Sequence, residues 1–141
     1  MRIYILLVVL ILLSCKKDLC EKKDCGNGEC VDGNCVCSVG WEGVDCKMKQ
    51  TSLVFVVKDS LGQLVEGANL SLYNASNMGV CVGTPTIKKT DGNGKVIYYG
   101  LTGSQYHFHC EKGLLHIHCT QLRSQLVQHQ ENIQEIVLLY N

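Results

Sequence analysis

The sequence predicts an all-β protein: a small disulfide-rich module followed by a roughly seven-stranded Greek-key β-sandwich. Three observations carry this expectation. Six cysteines crowd between Cys20 and Cys46, a stretch too short to bury a core that offsets its chain entropy, so cross-links must stand in for that core. Beyond residue 51 the cysteines thin out, and short runs of β-branched and apolar residues appear between turn signals, the pattern of strands in a sandwich. Between two of those runs, Asp91-Gly92-Asn93-Gly94 has the composition of a hairpin turn.

Composition narrows the partners and the compartment. The 141-residue chain carries 13 basic and 13 acidic residues. With no basic surplus to release counterions, nucleic acid is not an expected partner, nor is broad attraction to anionic headgroups. Ten cysteines in so short a chain exceed cytosolic usage and point to an oxidising compartment, which requires an export signal. Residues 1–14 read as that signal. Met1-Arg2 gives a positive start, and Ile3 to Leu13 is apolar apart from Tyr4. The run of about eleven residues suits a secretory core and falls short of the ~20 that span a bilayer.

The string Leu12-Leu13-Ser14-Cys15 resembles the lipobox of bacterial lipoproteins. The resemblance implies that Cys15 is alkylated with diacylglycerol, that the chain is cut before it, and that the new amine is acylated. One acyl chain holds a protein only marginally, so about two or three are needed for stable residence on a membrane. Residues 15–19, with Lys16-Lys17-Asp18, would be the lipidated tether. The Ser14-Cys15-Lys16-Lys17-Asp18 junction is also similar to lipoproteins of the Bacteroidetes, which implies an outer-membrane or cell-surface location.

Residues 20–46 form the cysteine module, with Cys20, Cys25, Cys30, Cys35, Cys37 and Cys46. Spacing alone does not choose among the pairings six cysteines allow. Zinc sites would show two short-spaced pairs and fewer leftover cysteines, so disulfides are the expected state. Cys35-Val-Cys37-Ser-Val-Gly40-Trp41-Glu-Gly43-Val-Asp-Cys46, preceded by Cys25-Gly-Asn-Gly-Glu-Cys30, resembles the epidermal-growth-factor-like (EGF-like) module. That resemblance implies Cys20–Cys30, Cys25–Cys35 and Cys37–Cys46. Calcium-binding modules of this family carry acidic and amide ligands just before the first cysteine. Here Lys16 and Lys17 stand in the wrong places, so no calcium is expected.

Residues 47–51 read as a polar linker, and residues 52–141 as the sandwich. Strands are expected at Ser52–Lys58, Ala68–Tyr73, Thr86–Thr90, Lys95–Tyr99, Gln105–Glu111, Leu114–Thr120 and Ile133–Tyr140. Gln121–Asn132 fits a short helix or a polar loop equally. The segment from Val56 through Asp59, Gly62, Val65 and Gly67-Ala68 to Tyr73, with Thr90-Asp91 and Leu101-Thr102-Gly103, resembles the opening of carboxypeptidase regulatory-like domains. Their transthyretin-like sandwiches serve as spacers, stalks or accessory modules. Some collagen-adhesin relatives carry lysine–asparagine isopeptide bonds. Lys58 and Asn141 have no motif that supports such a bond, and structural roles are expected for both.

Two further features stand apart. Cys81, Cys110 and Cys119 leave one disulfide and one odd, buried thiol, with the pairing open. Tyr106-His107-Phe108-His109-Cys110 and Leu115-His116-Ile117-His118-Cys119 alternate strictly. If Glu111–Leu114 is the turn, His109 faces His116 and His107 faces His118, with all four imidazoles on one side of the hairpin. Imidazole suits zinc, copper or nickel, so the alternative reading is an envelope metal-binding lipoprotein. The leading reading is a membrane-anchored, extracytoplasmic, non-catalytic display or interaction protein. It takes no cofactor, holds to lipid through Cys15 and contacts a protein or glycan partner. No nucleophile with a base, zinc-protease motif or phosphate loop is present.

Overall fold

The apolar and β-branched runs of the sequence become strands. In the computed structural model, which describes residues 19–74, 81–103, 105–122 and 125–140, there is no helix among the described residues. The expected signal segment and Cys15 lie outside them. The protein is all-β. Its strands are β1 (Gly28–Val31), β2 (Asn34–Cys37), β3 (Trp41–Glu42), β4 (Met48–Lys49), β5 (Ser52–Lys58) and β6 (Asn69–Asn74). They continue with β7 (Thr86–Lys89), β8 (Lys95–Tyr99), β9 (Tyr106–Lys112), β10 (Leu115–Gln121), β11 (Glu131–Val137) and β12 (Leu139–Tyr140). The chain divides after Lys47 into two compact units.

The first unit has almost no apolar interior, so sulfur does the packing. Asp32 (φ 48°) and Gly33 (φ 78°) are both left-handed, the backbone that closes a tight hairpin, and they set Cys30 opposite Cys35 on β1 and β2. Disulfides join Cys20 to Cys30, Cys25 to Cys35 and Cys37 to Cys46, with Cα separations of 5.8, 5.4 and 5.2 Å. Cys25 and Cys46 are buried. Gly28 lies flat against this cluster: a Cβ there would stand 2.8 Å from the Cys46 sulfur and 2.5 Å from the Val36 carbonyl oxygen. On the surface, Lys47 Nζ donates to Asp24 Oδ2 at 2.9 Å. That bond and the Gly26 N–H hold the Asp24 carboxyl below its ordinary range, although a pair this exposed adds little stability.

The second unit is a β-sandwich of two sheets. One has the order β12-β10-β9-β6-β7 and the other β11-β5-β8. β5 sits between parallel β11 and antiparallel β8, and its inward positions Leu53, Phe55 and Val57 are fully covered. Facing them from the other sheet are Leu70, Leu72, Tyr106, Phe108 and Cys110. Phe55 lies at the centre, edge-on to Tyr98 at 6.0 Å and tilted against Phe108 at 5.0 Å. The Tyr98 hydroxyl crosses the core and donates to the Leu70 carbonyl at 2.6 Å. Burial, the largest influence, raises its pKa well above the ordinary phenol range. The chain changes sheets at Leu138. Residues up to Val137 pair with β5, the Leu138 N–H donates to Lys58 O, and β12 then pairs with β10.

Polar side chains fix the corners. Asp59 accepts from the N–H groups of Leu61 and Gln63, and Asp91 from those of Asn93 and Lys95, the local bonding that makes aspartate a turn former. Buried Thr90 accepts from the Ala68 N–H and donates to Val65 O. The segment between β10 and β11, open between helix and loop in the sequence, has no helix among its described residues. Leu122 and Leu126 nevertheless join the core. Asn132 closes this loop by donating to Ser52 O and Val127 O and accepting from the Val127 N–H. Thr51 donates to Gln128 Oε1 and accepts from the His129 N–H.

Gly94 carries the tightest turn, with φ +63° and a would-be Cβ 2.7 Å from the Val57 carbonyl oxygen. The Gly94→Ala variant is expected to lose about 1–3 kcal/mol from backbone strain alone, and more from that collision. Thermal unfolding followed by circular dichroism reads this loss, and an unchanged midpoint would refute the turn geometry.

Candidate functional site

The second unit concentrates its reactive side chains on the β9–β10 hairpin and the cysteine tied to it. The hairpin turns at Gly113-Leu114, with Gly113 at φ +58° and Lys112 opposite Leu115. This is the glycine-first form of the two-residue turn. The sequence reading put the turn at Glu111–Leu114, so the partners change. His116 faces Glu111 rather than His109, and Ile117 faces Cys110. The difference is an even number of residues, so faces are kept while partners are exchanged.

A bulge then breaks the ladder. Register resumes only at Thr120 opposite Phe108, which leaves His118 and Cys119 together across from His109. Two residues against one re-aims the side chains that follow. Cys119, which strict alternation would put on the face opposite the histidines, is exposed instead and bonds Cys81, with a Cα separation of 5.8 Å. Cys110 remains the free, buried thiol. Burial, ahead of the nearby Glu111 charge, pushes its pKa up to about 12. It faces the core, on the opposite side of β9 from His109, so no imidazole there can activate it.

The four-histidine face does not assemble as predicted. His107 is buried and faces Gln121 and Tyr73 across its two neighbouring strands. The other three form two pairs. His109 Nε2 meets Glu111 Oε2 at 3.3 Å. His116 Nε2 meets His118 Nε2 at 3.2 Å, their rings 4.6 Å apart and nearly edge to face. Among the described residues no three His, Cys, Asp or Glu side chains converge on one point. A turn at Glu111–Leu114 leaves Glu111 without a histidine partner; the left-handed Gly113 is the signal that the turn begins one residue later. Lys58 is paired with Glu135 at 2.8 Å on the surface, and Asn141 lies outside the described residues.

No protein-family model matches the chain, and no curated protein matches its sequence. Solved structures do resemble it. A streptococcal ancillary pilin aligns with TM-score 0.51 and 19% identity, over 64% of this chain and 32% of the pilin. The pilus 2b backbone protein of group B streptococcus aligns with TM-score 0.51 and 16% identity, over 65% of this chain and 42% of its own. The Bacillus anthracis TIE protein gives TM-score 0.50 and 12% identity, over 64% and 16%. The chain thus spans less than half of each. At such identities the likeness is one of fold: a disulfide-rich all-β chain whose sandwich is of the kind found in bacterial pilus proteins. Fold alone does not carry function. The four disulfides among the described residues point to maturation in an oxidising compartment.

Proposed function

We propose that the protein is a lipoprotein, held on an extracytoplasmic membrane face by acyl chains on Cys15, whose β units are non-catalytic structural or interaction modules. In this reading residues 20–46 are an EGF-like module, residues 47–51 a linker, and residues 52–141 a regulatory-like sandwich that meets a protein or glycan partner. The observation that carries the proposal is the string Leu12-Leu13-Ser14-Cys15, which resembles a lipobox, ahead of a disulfide-bonded β chain. The pilus-type sandwich supports a structural role. The unactivated Cys110 thiol and the paired histidines supply no nucleophile with a base.

Lipid on Cys15 makes a direct prediction. With about two or three acyl chains the protein stays on the membrane, and with none it does not. Cys15→Ser is expected to move the protein from the membrane pellet to the soluble fraction when cells are fractionated. A parent protein found soluble, or a variant retained on the membrane, would contradict the anchor.

A further inference from the structure

We propose that His116 and His118 form a two-imidazole chelate for a copper(II)-class divalent transition ion, its remaining positions filled by water. The spacing comes from the strand. Residues i and i+2 share a face, and here both Nε2 atoms turn toward one another until they stand 3.2 Å apart. Two nitrogens bonded to a single ion at ~2.0–2.1 Å, at tetrahedral or square angles, stand roughly 2.9–3.4 Å apart. The pair already has the separation an ion would impose. A metal ion would replace the direct contact between the two ring nitrogens.

Three features hold the pair in place. β10 is flanked by β9 on one side and by β12 on the other, where His116 faces Leu139. The bulge fixes the direction of His118, and the next residue is anchored through Cys119–Cys81. His118 is exposed and His116 half-buried, so an ion can reach both. Glu111, opposite His116 on the same face, adds negative charge while engaged with His109. His107, buried and aimed at other neighbours, takes no part. Imidazole donors with open positions favour copper(II) over nickel(II) and zinc(II) in the usual order of affinity.

The test is titration of the tag-free full chain with copper(II) in a non-coordinating buffer, followed by electron paramagnetic resonance. The proposal predicts one copper per chain with couplings from two imidazole nitrogens. His118→Ala is expected to weaken binding by at least the ~10–100-fold that loss of an outer-shell partner costs a metal site. Fewer than two coupled imidazoles in the parent protein would overturn the proposal, whatever the variants do. Unchanged affinity in His116→Ala or His118→Ala, with an unaltered circular dichroism spectrum, would overturn it as well.

Discussion

Removing the Cys37–Cys46 disulfide, as Cys37→Ser with Cys46→Ser, is expected to unfold the first unit while leaving the second intact. Loss of a disulfide from a domain of this size typically costs about 2–5 kcal/mol. A module this short has little else to draw on. Among the described residues its buried apolar side chains are Cys25 and Cys46, and Gly28 of β1 lies against the Cys46 sulfur. Taking away that sulfur removes both the cross-link and the small interior. Hydrogen exchange reads the outcome strand by strand. Amides of β1 and β2 are predicted to exchange at coil rates, while those of β5 and β9 keep their protection. Continued protection of β1 and β2 would show that the hairpin stands without the bond.

The second large effect is expected at Phe55. Its ring is wholly buried and touches Tyr98 of its own sheet and Phe108 of the facing one, so truncation empties the place where the sheets meet. Phe55→Ala is expected to cost about 3–5 kcal/mol, a large part of the ~5–15 kcal/mol that typical domains possess. The thermal midpoint of the sandwich should fall by roughly 15–30 °C, since each kcal/mol shifts a domain of this size by several degrees. Ile133→Ala is the control. Ile133 lies on the neighbouring strand but is 64% exposed, and surface truncations usually stay within about 0.5 kcal/mol. Equal effects at the two positions would contradict the assignment of faces to this sheet.

Alternation made the strands legible, and it fails at identifiable places. β6 and β8 alternate because each has one face against the core, β5 is a continuous apolar run buried from Ser52 to Phe55, and the turns at Asp59 and Asp91 are written in their own side chains. The eighth strand of the sandwich, β12, continues the same apolar run as β11 in the sequence. Its separation depends on Leu138 switching sheets, a tertiary event with no local signal. The hairpin register turned on whether Glu111 or Lys112 begins the turn, and only the left-handed Gly113 decides it. A bulge such as that at His118-Cys119 is invisible to period-two reasoning, which keeps assigning alternate faces past the point where the ladder slips. For that reason alternation alone would turn Cys119 inward and leaves its bond to Cys81 open. Burial of His107 depends on what covers the outer face of β9, which spacing along β9 does not encode.

Acylation of Cys15 is read by intact mass spectrometry of the membrane-fraction protein, before and after reduction. The account predicts a mature chain that begins at Cys15 and carries the mass of about two or three acyl chains. On reduction it should gain two hydrogens for each of four disulfides. A mature chain that begins at Met1, or one that begins at Cys15 without acyl mass, would contradict it.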